Sequence, residues 1–318
     1  MQLITAFLSL VRWKNLLFIA LTQALFYFVV LPSTAINENA ALFLIENRSL
    51  FFILMFASIL IAAAGYIIND YFDQEIDAIN KPKKNVVNKL IKRRWAILWH
   101  LIFSAAGIVF SIYVSLKTHI LIISIINFLC VFILWFYSTV FKRKLLSGNI
   151  IISFLTAWVI LSVYVFSGND LFHFEGWNYS KDLFDSRKLF KIAIVYSGFA
   201  FVLTLIREVI KDAEDMYGDM VYNCNTMPIA WGVPATKVFA GVWFVVLIAL
   251  VAISTFYAFH SGWKMGSVYS LLFILTPLLM ALSRLRSAIK PEDYNSISNM
   301  IKIIMLAGIL SMFFFYKP

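Results

Sequence analysis

A chain of 318 residues is long enough for two soluble domains, but 62% of its residues are hydrophobic and only 14% are charged, a composition typical of polytopic membrane proteins. The formal charge of +10 does not indicate a nucleic-acid partner, because the basic residues lie in short loops between apolar runs and form no contiguous basic domain. Two cysteines, Cys130 and Cys224, are too few for a disulfide framework.

Nine apolar runs are long enough to cross about 30 Å of hydrocarbon, which takes roughly 20 helical residues. They are predicted at 14–32, 50–69, 95–116, 119–139, 148–166, 188–207, 235–259, 266–283 and 299–316. The first run resembles the core of a signal peptide, but the eight further runs favour a retained first helix. The sequence therefore predicts an all-α membrane protein with nine transmembrane helices and a single transmembrane domain over residues 1–318.

The lysines and arginines between these runs are unequally distributed. If all nine runs cross the membrane, one set of alternating loops and termini carries 19 of the 27 basic residues and the other carries 8. Because short cytoplasmic loops are enriched in lysine and arginine, we predict a cytoplasmic N-terminus. The expected location is the cell membrane, with an active site that faces the cytoplasm.

An acidic segment, Asn69 to Asp77, directly follows the second apolar run. Its residues Asp70, Asp73 and Asp77 have the spacing i, i+3 and i+7, which places three carboxylates on one face of a helix. Asn69 lies one helical turn before Asp73 and is a candidate neutral metal ligand. The alternative is that these residues are solvated at a helix end or paired with loop lysines.

A second acidic segment has the same spacing, with Asp212, Asp215 and Asp219 each 142 residues after its counterpart. A carboxylate at the bilayer centre costs about 2.5 to 3.5 kcal/mol, and carboxylates on one face repel each other. Oxygen-coordinated divalent cations offset both effects, and Mg²⁺ is commonly held by a few carboxylates together with water and substrate phosphates. The two segments therefore predict a Mg²⁺-dependent diphosphate site, although Glu214 could share the role of Asp215.

The chemistry that fits such a site is ionisation of an allylic diphosphate, with an apolar cavity protecting the carbocation until an acceptor attacks. Basic side chains near the acidic segments are candidates for holding the diphosphate, namely Lys142, Lys144, Arg207 and Lys211. Cytoplasmic basic residues are also what membrane topology alone requires. Tyr137 either faces the cation or belongs to the aromatic belt at the membrane interface.

The pattern Asn69-Asp70-x-x-Asp73-x-x-x-Asp77 resembles the first signature of the UbiA superfamily of intramembrane prenyltransferases, and the second acidic segment resembles that family's second motif. The continuation Asn80-Lys81-Pro82 and the later Gly148-Asn149 are also similar. The resemblance implies nine helices around a central cavity, Mg²⁺ as the cofactor, and a prenyl diphosphate such as geranylgeranyl diphosphate as a substrate. It also implies a lipophilic acceptor drawn from the membrane lipid.

One position departs from the family pattern. Where the family commonly has Arg-Pro, this chain has Lys84-Asn85. Lys84 keeps the positive charge of a phosphate-binding residue but lacks the bidentate guanidinium. We therefore retain Lys84 as a candidate substrate-binding residue that acts as a point charge.

The second acidic segment is most similar to the branch of digeranylgeranylglyceryl phosphate synthases. That resemblance implies transfer of a geranylgeranyl group to a geranylgeranylglycerol phosphate in ether-lipid synthesis. Prenylation of an aromatic quinone precursor is an alternative within the family. A cation-coupled transporter and a non-catalytic scaffold are alternatives outside the enzyme class, but the acidic spans lack the central Pro expected of broken transporter helices.

Overall fold

The structure, a computed structural model, describes residues 2–80, 91–168 and 183–316. These ranges are helical apart from short connections and one isolated antiparallel bridge between Ala35 and Phe184. The α-helices are α1 (Gln2–Leu10), α2 (Trp13–Leu25), α3 (Asn39–Glu46), α4 (Arg48–Phe72), α5 (Gln74–Asn80), α6 (Arg93–Thr118), α7 (Leu121–Thr139), α8 (Ser147–Phe166), α9 (Ser186–Val221), α10 (Met227–Ala230), α11 (Gly232–His260), α12 (Lys264–Ser270), α13 (Thr276–Ser287) and α14 (Pro291–Leu310). Two π-helical turns, Phe26–Val30 and Leu271–Leu275, prolong α2 and join α12 to α13.

Nine helical stretches within the described ranges are long and apolar enough to cross a membrane. They are Trp13–Thr34, Arg48–Phe72, Arg93–Thr118, Leu121–Thr139, Ser147–Phe166, Ser186–Val221, Gly232–His260, Lys264–Ser287 and Pro291–Phe315. The predicted all-α membrane protein with nine spans is therefore confirmed, and the chain is an integral, multi-pass membrane protein.

Two spans extend at one end well beyond the apolar runs that predicted them. The helix expected to end at residue 207 continues to Val221, because the polar residues that follow are mostly good helix formers. The last helix was expected to begin at residue 299 but begins at Pro291, a residue type favoured in the first helical turn. The Asp293 carboxylate accepts hydrogen bonds from the backbone N–H groups of residues 289 and 290 and caps this helix.

The chain forms two compact units. The first contains the described residues between 2 and 141 and between 158 and 195, and the second contains residues 142–157 and 196–316. Helices α8 and α9 thus contribute to both units. The first acidic segment belongs to the first unit, and the second acidic segment belongs to the second.

Helix α4 is the centre of the first unit, where it packs against α6 and α7. A Cβ atom added to Gly107 of α6 would lie 2.7 Å from Cγ1 of Ile61, and one added to Gly65 of α4 would lie 2.8 Å from a methyl group of Leu134. Such separations are shorter than van der Waals contact, so a larger residue at either position would displace the neighbouring side chain.

A buried amide joins three helices of the first unit. Gln23 of α2 is fully buried, and its Nε2 donates to Ser58 Oγ of α4 at 3.1 Å, to Val159 O of α8 at 3.1 Å and to Ser162 Oγ of α8 at 3.0 Å. Hydrogen bonds between transmembrane helices stabilise their packing. The first apolar run is therefore integrated into the fold by specific contacts.

The core of the second unit is formed by α9, α11, α13 and α14. Helix α9 contributes Leu203, Ile206, Val209, Ile210 and Ala213 to this core, and all five are buried. Their spacing of three and four residues defines one face of the helix. The aspartates of the second acidic segment lie outside this apolar face.

Candidate active site

The first acidic segment lies where α4 ends and α5 begins. Asp73 has φ −90° and ψ 3° and separates the two helices. The helical hydrogen-bond pattern nevertheless continues, since Asp73 N donates to Asn69 O at 3.0 Å and Asp77 N donates to Asp73 O at 2.8 Å. The segment is therefore a bent helix, whereas the spacing alone predicted a regular one.

Arg12 forms an ion pair with the first acidic segment. Its Nη2 donates to Asp70 Oδ1 at 2.6 Å, and its guanidinium carbon lies 5.0 Å from the centre of the Tyr66 ring. Although burial disfavours the charged form, the attraction of the Asp70 carboxylate raises the pKa of Arg12 above its usual value. Arg12 therefore remains a cation that neutralises one of the three carboxylates and fixes its orientation.

Arg12 adopts a left-handed backbone conformation between α1 and α2, with φ 51°. This conformation is uncommon for residues other than glycine, asparagine and aspartate. Arg12 is one of the 19 basic residues on the predicted cytoplasmic side, and its contact with Asp70 could not be predicted because 58 residues separate the two positions. No local pattern in the sequence indicates this pair.

Asn69 and Asp73 are the most buried polar residues of the first acidic segment, with exposed fractions of 8% and 4%. Asn69 Nδ2 donates to Asp73 Oδ2 at 2.6 Å. Asn69 Oδ1 has no hydrogen-bond partner anywhere in the described part of the chain. A buried carbonyl oxygen without a donor is costly, and it fits an oxygen-coordinated cation or a bound donor group.

The remaining candidate site residues of the first part of the chain are Asp77, Tyr137 and Lys84. Asp77 is half-buried in α5, and Tyr137 is half-buried in the last turn of α7. Lys84 lies outside the described residues, as do Lys81 and Pro82 of the resembling motif. The binding roles of these residues stay predictions.

The second acidic segment differs from the first in lying within one uninterrupted helix, α9. Asp212 Oδ2 accepts a hydrogen bond of 2.8 Å from Nδ2 of Asn149, which lies in the first turn of α8 and is 7% exposed. Asp215 is half-buried, and Asp219 is 8% exposed. Asn149 therefore orients Asp212. The sequence predicted no role for Asn149, although Gly148-Asn149 is similar to the family pattern.

Glu214 and Asp215 are neighbours in sequence, but their side chains leave α9 in different directions. Glu214 Oε1 accepts a hydrogen bond of 2.7 Å from Nδ2 of Asn295 in α14. Asn295 Oδ1 in turn accepts from Asn299 Nδ2 at 2.7 Å. Glu214 is therefore engaged with α14, so of these two neighbours Asp215 is the candidate that shares a face with Asp212 and Asp219.

Two predicted diphosphate-binding residues, Arg207 and Lys211, contact Glu208 one turn before the second acidic segment. Arg207 Nη1 donates to Glu208 Oε1 at 2.6 Å, and Lys211 Nζ donates to Glu208 Oε2 at 3.2 Å. Arg207 Nε is buried and has no partner among the residues described. The two cations and one anion leave a net charge of +1, with an N–H donor still available.

The loop that carries Lys142 and Lys144 packs beside the end of the second acidic segment. Asn225 N donates to Arg143 O at 2.8 Å, and Cys224 N donates to Asp219 O at 2.9 Å. Backbone hydrogen bonds thus connect the lysine loop to residues that immediately follow α9. The diphosphate-binding roles of Lys142 and Lys144 stay predictions.

The donor set suits a hard divalent cation. Within the described ranges, no three His, Cys, Asp or Glu side chains converge closely enough to hold a metal ion by themselves. The available donors are carboxylates and the Asn69 carbonyl oxygen, and Mg²⁺ usually keeps water and substrate phosphates in several coordination positions. The residues present therefore fit a metal that binds together with a diphosphate.

Comparison with known proteins agrees with these features. Residues 26–304 match the sequence model of the UbiA prenyltransferase family. A digeranylgeranylglyceryl phosphate synthase from Methanothermobacter thermautotrophicus is 31% identical over 270 residues, which cover 82% of this chain and 84% of that protein. A protein of the same name from Sulfurisphaera tokodaii is 31% identical over 248 residues, covering 78% and 81%.

The fold also resembles that of a UbiA homologue from Archaeoglobus fulgidus, whose structure contains DMAPP and Mg²⁺. The TM-score is 0.56, and the superposition covers 96% of this chain and 98% of that chain. Since sequence identity is only 14%, this similarity concerns the fold alone.

Proposed function

This chain belongs to the UbiA prenyltransferase family, and we propose that it transfers a geranylgeranyl group from geranylgeranyl diphosphate to the free hydroxyl of geranylgeranylglycerol phosphate. The product is a diether lipid. The observation that carries the choice of acceptor is the 31% identity to a digeranylgeranylglyceryl phosphate synthase over 82% of this chain. The alternative acceptor is an aromatic quinone precursor.

Each acidic segment supplies candidate ligands for metal and diphosphate in this proposal. Asp70, Asp73 and Asp77, with the Asn69 carbonyl oxygen, act in the first unit, and Asp212, Asp215 and Asp219 act in the second. When bound, Mg²⁺ stabilises the negative charge that develops on the departing diphosphate. A UbiA homologue from A. fulgidus binds DMAPP and Mg²⁺, which supports Mg²⁺ as the cofactor of the proposed reaction.

Neighbouring side chains hold the carboxylates in place before substrate binds. Arg12 fixes Asp70 through a contact of 2.6 Å, Asn69 fixes Asp73 through a contact of 2.6 Å, and Asn149 fixes Asp212 through a contact of 2.8 Å. Preorganised charges of this kind stabilise a transition state without the cost of reorienting during reaction. Arg207, Lys211, Lys142, Lys144 and Lys84 add positive charge for the diphosphate.

The reaction breaks the bond between C1 of the prenyl chain and the diphosphate oxygen, and the electron pair leaves with the diphosphate. The hydroxyl oxygen of the acceptor then bonds to C1, and its proton is released. An apolar surrounding excludes water, which would otherwise capture the carbocation. Tyr137 is a candidate for facing that cation.

The expected orientation follows from the distribution of charged loops. We place both acidic segments on the cytoplasmic side of the cell membrane, because 19 of the 27 basic residues fall in the corresponding set of loops. Soluble diphosphates then reach the site from the cytoplasm, and the acceptor reaches it from the membrane lipid. The whole chain, residues 1–318, acts as one transmembrane domain in this proposal.

The decisive experiment incubates the purified protein with geranylgeranyl diphosphate, Mg²⁺ and either geranylgeranylglycerol phosphate or an aromatic quinone precursor. We expect mass spectrometry to detect a digeranylgeranyl diether phosphate and no prenylated aromatic product. Exclusive prenylation of the aromatic acceptor would overturn the acceptor assignment. Absence of any prenylated product from folded protein would refute the activity itself.

A further inference from the structure

Helix α1 is too short to cross a membrane, yet its sequence is uncharged. Its nine residues, Gln2–Leu10, extend about 14 Å, which is less than half of the roughly 30 Å of hydrocarbon. Residues 2–11 include no Asp, Glu, Lys or Arg, and the first basic residue is Arg12. A helix with apolar residues on all sides is stable only where each side is removed from water.

One side of α1 packs against two membrane-spanning helices. Leu10 is fully buried and belongs to a hydrophobic cluster with Ala63 and Ile67 of α4. The ring centre of Phe7 lies 5.5 Å from that of Trp99 in α6. Ala63, Ile67 and Trp99 all lie within the apolar runs that predicted the second and third spans. Helix α1 is therefore beside the hydrocarbon-crossing parts of α4 and α6.

Other side chains of α1 are apolar and exposed. Leu3 and Ile4 are each 68% exposed, and Leu8 is 41% exposed. Ile4 and Leu8 lie one helical turn apart, so they share a side of the helix. Leu8 and the buried Leu10 are about 200° apart around the helix axis. The exposed apolar side of α1 therefore faces away from the cluster that contains Leu10.

Hydrocarbon of the surrounding bilayer is the partner that fits this exposed side. The first membrane-spanning stretch begins at Trp13, only three residues after α1 ends, so α1 stays close to the membrane. Helix α6 exposes Leu98 and Ile102, by 42% and 45%, and each directly precedes a residue whose ring contacts Phe7. Exposed apolar side chains of a transmembrane helix face lipid, so α1 borders a lipid-facing surface.

Helix α1 also constrains the position of Arg12. This residue joins α1 to α2 in a left-handed conformation, with φ 51°, and its Nη2 lies 2.6 Å from Asp70 Oδ1. That conformation is unfavourable for arginine and persists only where the surrounding structure holds it. Packing of α1 on one side and of α2 on the other supplies that constraint.

We propose that α1 is embedded in the lipid of one leaflet without crossing the bilayer, and that this anchorage positions Arg12 against Asp70. The lipid contact requires no assumption about the reaction. Its consequence for catalysis rests on the proposed function, in which Arg12 orients a metal-binding carboxylate before substrate arrives. Arg12 is accordingly a positioning residue, and the exposed apolar side chains of α1 act through it.

The lipid contact is tested with nitroxide labels on the full chain in phosphatidylcholine vesicles. Leu3→Cys, Ile4→Cys and Leu8→Cys are each labelled in a protein whose two native cysteines are replaced by alanine. Ile253→Cys, at a position 66% exposed within the span of α11, is the lipid control, and Glu292→Cys, at an exposed position in the first turn of α14, is the water control. We expect the three labels in α1 to collide with dissolved oxygen more than with a water-soluble nickel complex, as the lipid control does, because oxygen concentrates in hydrocarbon.

Two results would overturn the lipid contact. Labels in α1 that resemble the water control would place the helix outside the bilayer. Labels reached by neither reagent would show that protein, such as a second copy of this chain, covers the exposed side. Both results are independent of prenyl transfer, so they leave the proposed function untouched.

The positioning of Arg12 is tested by a double-mutant cycle. One variant carries Leu3→Gln, Ile4→Gln and Leu8→Gln, because glutamine favours a helix but is unfavourable in hydrocarbon. A control variant with Leu3→Met, Ile4→Leu and Leu8→Met stays apolar. We expect the glutamine variant to lower kcat/KM for the prenyl diphosphate about three- to tenfold and the apolar control to match the wild type. In an Arg12→Ala background the glutamine changes should cause no further loss.

An undiminished kcat/KM in the glutamine variant, or a full additional loss in the Arg12→Ala background, would show that α1 does not act through Arg12. Should the triple variant not accumulate, Ile4→Gln alone applies the same test. If the wild type transfers no prenyl group, the proposed function fails together with the role of Arg12, and the label experiment alone decides the lipid contact.

Discussion

Replacing Asn149 with alanine removes the one side chain seen to donate to Asp212 within the described part of the chain. The bond is 2.8 Å long, its acceptor is a carboxylate, and Asn149 is only 7% exposed. A hydrogen bond to a charged group contributes about 1.5 to 3 kcal/mol. If Asp212 must be held in place for the metal–diphosphate complex to react, kcat/KM for the prenyl diphosphate should fall about 10- to 150-fold.

The same helix offers a matched control. Asn295 donates to Glu214 at 2.7 Å, so Asn295→Ala also deletes an amide–carboxylate bond of α9, but away from the face of Asp212. Initial rates at varied geranylgeranyl diphosphate and Mg²⁺ should show that Asn149→Ala raises the Mg²⁺ requirement. Asn295→Ala should stay within about twofold of the wild type, the small effect of a contact outside the site. Equal losses in two folded variants would refute the orienting role of Asn149.

Further predictions concern the first acidic segment, the metal and the packing of glycine. Arg12→Ala should lower kcat/KM about tenfold. Arg12→Lys should recover part of this loss, because lysine keeps the positive charge but lacks the bidentate guanidinium. Identical kcat/KM values for the two variants would contradict the role of the Arg12–Asp70 contact. Asp70→Asn combined with Asp212→Asn should abolish turnover without reducing the amount of membrane protein, and retained turnover would disprove the assigned roles. Excess EDTA should stop transfer and Mg²⁺ should restore it; activity that persists in EDTA would exclude a required divalent cation. Gly107→Ala should destabilise the protein by about 1 to 3 kcal/mol in thermal unfolding, because its Cβ would lie 2.7 Å from Ile61 Cγ1. The control Gly198→Ala should be neutral or stabilising, because a Cβ there has no atom within 4 Å. Changes in unfolding free energy of the same sign and size in both variants would count against this packing.

Hydropathy and spacing were sufficient to predict the nine spans and the two acidic segments. Both are local properties, because about 20 apolar residues suffice to span the bilayer and the i, i+3, i+7 spacing defines a helix face. The bend at Asp73 could not be predicted in this way. The two acidic segments have the same aspartate spacing, but only the first is bent. The spacing therefore does not cause the bend, and we attribute it to packing in the first unit.

The partners of the carboxylates were likewise not legible in the sequence. Asn149 and Asp212 are 63 residues apart, and nothing local relates them. Glu214 and Asp215 could not be distinguished from spacing, because only the position of Asn295 on α14 shows which of them faces away. Long-range contacts of this kind depend on how helices pack, which hydrophobic periodicity constrains only weakly.

The length of α9 has a consequence for the fate of the products. Its 36 residues extend about 54 Å, well beyond the roughly 30 Å of hydrocarbon. The aspartates on its final turns follow the apolar run that ends at residue 207, so in the proposed reaction the released diphosphate would enter water from those turns. The prenylated lipid product of that reaction would be retained by the bilayer beside the apolar turns of the same helix. The two products would then separate by partitioning in opposite directions, and turnover would not require passage of the diphosphate through the membrane.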